Sequence, residues 1–190
     1  MGIVIPVIFW GTLTVCGYVM GDYNHLTRLV SELGAMGTRT QYIFTAGMLA
    51  CAALSVVFVI GLHKACRKRG ISAFPAWIIL TFSVSLAGAA IFPLPLRLHL
   101  WAGMPSILLF FSPLAALILW PGDKMPAGSR LWAIVSLAIM LLGFMAFMPE
   151  VLGAYPGLKQ RFFHIGWSLW FIGLSRTFLR SPNSADIGRE

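Results

Sequence analysis

Residues 22–41 read DYNHLTRLVSELGAMGTRTQ, the longest polar interruption in a chain that is otherwise a succession of apolar runs. Within it, Leu26, Leu29, Val30 and Leu33 recur at i, i+3, i+4 and i+7, the spacing of one apolar helix face, while Arg28, Ser31 and Glu32 take the other side. This pattern predicts a short amphipathic helix over 25–34. Such a helix lies in the bilayer interface rather than crossing it.

On either side the chain is membrane-like. Of 190 residues, 58% are hydrophobic and 11% charged, with a mean hydropathy of +0.84. Soluble domains carry about 25% charged residues. Apolar runs near the ~20 residues that a membrane helix needs fall at 3–20, 42–62, 73–92, 100–120, 131–148 and 162–179. The expected fold is therefore all-α, a six-transmembrane-helix bundle with a short interfacial helix between helices one and two. It would occupy residues 1–180 as a single membrane domain, with 181–190 a short cytoplasmic tail. The net charge of +8 does not point to nucleic acid, because the basic residues are shared out among the connections between spans. There they set topology and touch anionic lipid headgroups. Cys16, Cys51 and Cys66 form neither a disulfide framework nor a zinc motif. The N-terminus lacks the basic region and cleavage site of a signal peptide, so the first span is expected to be retained.

The densest basic cluster, Lys64, Arg67, Lys68 and Arg69, follows the second run. Placing it in the cytoplasm puts nine of the 14 basic residues inside and five outside, as the positive-inside rule asks. Both termini are then cytoplasmic. Asp22, His25, Arg28, Ser31, Glu32, Arg97, His99, Glu150, Lys159, Arg161 and His164 all emerge on the outer side, from three separate connections.

Two of those connections carry further detail. In Phe92-Pro-Leu-Pro-Leu-Arg-Leu-His99, two prolines stop a helix. An extended continuation would place Arg97 and His99 on one face. Pro105 and Pro113 are expected to bend the fourth span. Where the last span begins, Gln160 and His164 share a helix face at i,i+4. An ionisable residue about one turn inside the membrane, as His164 would be, is a functional candidate.

Three stretches carry a resemblance: Ser31-Glu32-Leu33-Gly34, the connection from Phe92-Pro93 to His99, and Gly157-Leu158-Lys159-Gln160-Arg161. With them the chain resembles an uncharacterised, mostly bacterial family of six-span membrane proteins catalogued as domain of unknown function 998. The resemblance implies a protein of the bacterial inner membrane and supplies no activity. Many members carry an acidic residue between the proline and the histidine. Here Leu94 to Leu98 offers Arg97 and no acid, which departs from a metal-site pattern.

These residues admit three functions. The first is an outward-facing site for an anionic lipid or small amphiphile, with Arg28, Arg97, Lys159, Gln160 and Arg161 holding the headgroup through charge-assisted bonds. The competing account of each cation is an ordinary interfacial anchor. The second is an intramembrane lipid hydrolase. In it Ser31 would be nucleophile with Glu32, His99 or His164 as base, or His99, His164 and Asp22 or His25 would hold a metal such as zinc. No ligand motif in the sequence supports zinc. The third is an accessory subunit or small permease without chemistry. Membrane lipids are the expected partners; the sequence leaves a protein partner or a homo-oligomer open.

Overall fold

The computed structural model describes residues 1–125 and 127–180, and the expected tail at 181–190 lies outside the described residues. Every regular element among them is helical. In chain order these are α1 (Val4–Met20), α2 (Gln41–Lys68), α3 (Phe74–Ile91), α4 (Arg97–Gly103), α5 (Phe111–Leu119), α6 (Ser129–Leu142) and α7 (Pro156–Arg180). Three 3₁₀ segments, Val30–Gly34, Met104–Phe110 and Gly143–Phe147, complete the set.

Four helical segments are long and apolar enough to cross a membrane: Gln41–Lys68, Phe74–Ile91, Arg97–Leu119 and Ser129–Phe147. α1, with 17 residues, is a shorter apolar helix. α7 is not among the four. Its 25 residues carry Lys159, Arg161, Arg176 and Arg180, and it is the helix most enclosed by its neighbours. Trp167, Trp170 and Phe171 are fully buried along it. Side-chain bonds tie it to the rest. Trp10 Nε1 donates to Ser168 Oγ at 3.1 Å. Trp170 Nε1 donates to Ser112 Oγ at 2.8 Å, and Ser112 Oγ donates onward to Pro75 O at 2.7 Å. Outward-facing positions such as Val7, Val84, Ile118 and Leu131 remain apolar and exposed, the surface that hydrocarbon rather than water tolerates.

Pro105 breaks the fourth run as its missing N–H requires, and the helix tightens into the 3₁₀ segment Met104–Phe110 before resuming as α5. The carbonyl of Gly103, at the break, is taken by Ser85 Oγ (2.5 Å) and Ser106 Oγ (2.7 Å).

Two local expectations are corrected. No continuous helix covers 25–34; only Val30–Gly34 is helical, as a 3₁₀ turn. The backbone groups that a helix would pair internally are captured from outside. Asn24 Oδ1 accepts from Leu26 N at 2.9 Å, Tyr23 Oη donates to Leu29 O at 2.8 Å, and Arg161 takes Arg28 O at 3.2 Å. Likewise Arg97 and His99 do not stand on one face of an extended strand. The turn closed by Leu96 N to Pro93 O (3.0 Å) lets α4 start at Arg97. Two helical steps then turn the side chains by about 200°.

The three polar connections meet. Met36 N donates to Leu94 O at 2.8 Å, joining the first to the second. Leu158 N donates to Leu26 O at 2.9 Å, joining the first to the start of α7. This second bond satisfies one of the amides that a helix N-terminus leaves unpaired.

Candidate binding cavity

Where these connections converge, two adjoining cavities open, one of ≈ 550 Å³ between α4, the two later 3₁₀ segments and the first turns of α7, and one of ≈ 140 Å³ between α1, α2, α3, α4 and α7. Ser31, His99, Ser106, Gln160 and His164 line both. The larger one is otherwise apolar, walled by Ile107, Phe144, Phe147 and Phe163 among others. Leu100, Met104 and Phe147 in its wall are themselves exposed, so it opens on an apolar flank of the bundle.

Each polar group reaches the cavity through a traceable local cause. Gln160 and His164 are one turn apart on α7. Gln160 Oε1 accepts from Val30 N at 2.8 Å, which pins the 3₁₀ turn and with it Ser31 against α7. His99 is held by its Nδ1, 2.8 Å from Phe92 O. His164 Nδ1 lies 3.0 Å from Trp167 Nε1, while its Nε2 is closed off from solvent and has no hydrogen-bond partner. Ser31 Oγ makes no hydrogen bond among the described residues.

The expected basic residues have other roles. Arg161 is buried, 6% exposed, and its guanidinium donates to Arg28 O (3.2 Å), Gly157 O (3.0 Å), Tyr23 Oη (3.1 Å) and His25 Nδ1 (2.9 Å). It fastens the first connection to α7. Lys159, 3% exposed, donates to Met148 O at 3.1 Å, capping the segment that follows α6. Arg28 Nε bonds Glu32 Oε2 at 2.8 Å, with Asp22 3.7 Å from its Nη1. Arg97 is exposed and makes no hydrogen bond or ion pair among the described residues. None of the four cations lines either cavity.

Electrostatics follow from this packing. Burial, and then the charge of Arg161, lower His25 below its ordinary value. Burial raises Tyr23 despite the bond that Arg161 donates to it. Arg28 is raised, chiefly by its hydrogen bond to Glu32.

Glu32, expected as a base toward Ser31, has both oxygens engaged, Oε2 by Arg28 and Oε1 by Leu29 N at 2.8 Å. His25 is bound to Arg161. Among the described residues no three His, Cys, Asp or Glu side chains gather as metal ligands. The set His99, His164 and Asp22 or His25 is not assembled, so the residues present do not fit a zinc ion. Sequence reasoning missed Ser106, Tyr23 and Trp167. The last stands three residues after His164, a spacing that brings helix side chains together.

The fold and this cavity define a helical membrane protein with a largely apolar pocket, holding a few polar side chains, at one end of its bundle. The family model described as a protein of unknown function (DUF998) matches residues 3–177, and the chain belongs to that family. No curated protein and no solved structure matches it.

Proposed function

We propose that this is an integral membrane protein that binds a lipid or small amphiphile in the ≈ 550 Å³ cavity. The tail lies against Ile107, Phe144 and Phe147 and the head reaches Ser31, His99, Gln160 and His164. In this reading α1 and α7 complete six membrane passes in the bacterial inner membrane, both termini are cytoplasmic, and the cavity faces the exterior or periplasm. The excess of basic residues in the opposite connections supports that orientation. One observation carries the proposal: a few polar side chains converge in an apolar cavity whose volume is within the ~300–1,000 Å³ of small-molecule sites. The exposed Arg97, at the start of the helix that bears His99, is available to an anionic group outside the cavity.

The test is lipid analysis of protein extracted in a mild detergent, compared with the same membranes' bulk lipid. Enrichment of one lipid class that is lost on filling the cavity with Ala146→Trp supports the proposal. A lipid content that mirrors the bulk in both proteins would sink it.

A further inference from the structure

We infer that the buried pole of the bound molecule is an uncharged hydroxyl, as in a long-chain alcohol or a glyceride with a free OH. The inference rests on the cavity being a binding site and asks what chemistry its walls complement.

The hydrogen-bond network fixes the tautomers. An indole N–H only donates, so His164 Nδ1, 3.0 Å from Trp167 Nε1, must hold a lone pair. The neutral ring then carries its proton on Nε2, and a protonated ring would set two N–H groups against each other. That N–H has no partner in the protein, and it is closed off behind the cavity wall rather than open to it. Leaving such a group unpaired is costly. His99 is the opposite case. A carbonyl only accepts, so Nδ1, 2.8 Å from Phe92 O, carries the proton and Nε2 is left with a lone pair. Gln160 has its oxygen engaged by Val30 N, which leaves its NH₂ to donate. Ser31 Oγ can do either.

The walls thus present the Gln160 amide as donor, His99 Nε2 as acceptor and the hydroxyls of Ser31 and Ser106, with Ser85 in the smaller cavity, and no charged side chain. A phosphate or carboxylate brought here would be stripped of water with no cation to compensate, and it would face the His99 lone pair. A ketone or ester carbonyl accepts but cannot donate, so it leaves His99 Nε2 unpaired. A hydroxyl accepts from Gln160 and donates to His99 through one oxygen. The apolar remainder of the larger cavity takes the chain that carries it.

The experiment uses the full chain in phosphatidylcholine nanodiscs, photolabelled with hexadecanol bearing a diazirine in its tail. Competitors share one tail and differ in the head: oleyl alcohol, oleyl sulfate and octadecene. Saturable labelling of the peptides that wall the cavity is expected. Oleyl alcohol should compete at least about tenfold better than the other two, the difference one buried hydrogen bond supplies. His99→Phe should bring that ratio near one while the labelling itself persists, and it should fold, since His99 is only half-buried on the short α4. Equal or better competition by oleyl sulfate, or by octadecene, overturns the hydroxyl assignment and leaves amphiphile binding standing. No saturable labelling with any competitor overturns both.

Discussion

The guanidinium of Arg161 donates to Nδ1 of His25 across 2.9 Å, joining α7 to a connection 136 residues earlier. Because a guanidinium only donates, His25 must be neutral for the bond to form. Burial and Arg161 both hold the folded-state value of His25 below its ordinary one. The released state therefore binds the proton more readily. Docking of residues 22–34 on α7 is at full strength above about pH 6.5, the ordinary histidine value. It weakens as pH falls through the depressed value of the docked state. Tyr23 contacts both members of the pair, and Arg28, set over the Tyr23 ring, pairs in turn with Asp22 and Glu32. Hydrogen-exchange protection of 22–34 should accordingly be lower at about pH 5 than at about pH 8. His25→Gln accepts the same bond without titrating and should abolish the difference. If the difference survives, His25 is not the group that titrates.

Arg161 itself separates a structural from a ligand-gripping role. Removing it leaves the carbonyls of Arg28 and Gly157 without the donor they now share. Bonds to charged donors are worth about 1.5–3 kcal/mol, so Arg161→Ala should cost roughly 3 kcal/mol and open 22–34 to proteases. Arg161→Lys keeps the charge but not the planar fork and should recover less than half of that. Thermal unfolding in detergent with limited proteolysis checks both. A variant as stable as the parent that fails only to bind ligand would return Arg161 to the headgroup.

The apolar runs and the grouping of polar residues in the connections at one end of the bundle were legible because both depend on local composition. The pairing of Arg28 with Glu32 was legible for the same reason, being an i,i+4 contact. So was the shared face of Gln160 and His164. The shape of 22–34 was not. Its periodicity is helical, yet Tyr23 and Arg161 take the carbonyls that a helix would need, and Arg161 is more than 130 residues away. The place of α7 was equally hidden. Lysine and arginine at the start of an apolar run look like surface anchors until the fold turns them inward. That His99 and His164 wall one cavity depends on α4 and the start of α7 facing the same space, which no spacing encodes.

Glu32→Gln tests whether the carboxylate does anything beyond local pairing. Its partner Arg28 is 33% exposed at the side chain and Glu32 is 32% exposed, and ion pairs this accessible to solvent contribute about 1 kcal/mol or less. The variant keeps an oxygen for Leu29 N. Unfolding should shift by under about 1 kcal/mol, and photolabelling by the alcohol probe should be unchanged. Loss of binding with intact stability would show that Glu32 meets the ligand.

Gly166→Ala sets two magnitudes against each other. In a helix interior, alanine normally gains about 1 kcal/mol over glycine. Here an added Cβ would lie 2.7 Å from Met140 N and 2.9 Å from Ser136 O, both backbone atoms of α6 that no rotamer change can move aside. Forcing helices apart in a packed core costs about 1–3 kcal/mol, so destabilisation should win by up to ~2 kcal/mol. Gly11→Ala is the control, because its Cβ would meet nothing within 4 Å. It should be neutral or stabilising by up to about 1 kcal/mol. Thermal unfolding of the two variants side by side decides the matter. Equal behaviour would mean that α6 and α7 are not in the close contact described here, and the first turns of α7 that carry Gln160 and His164 would lose their support.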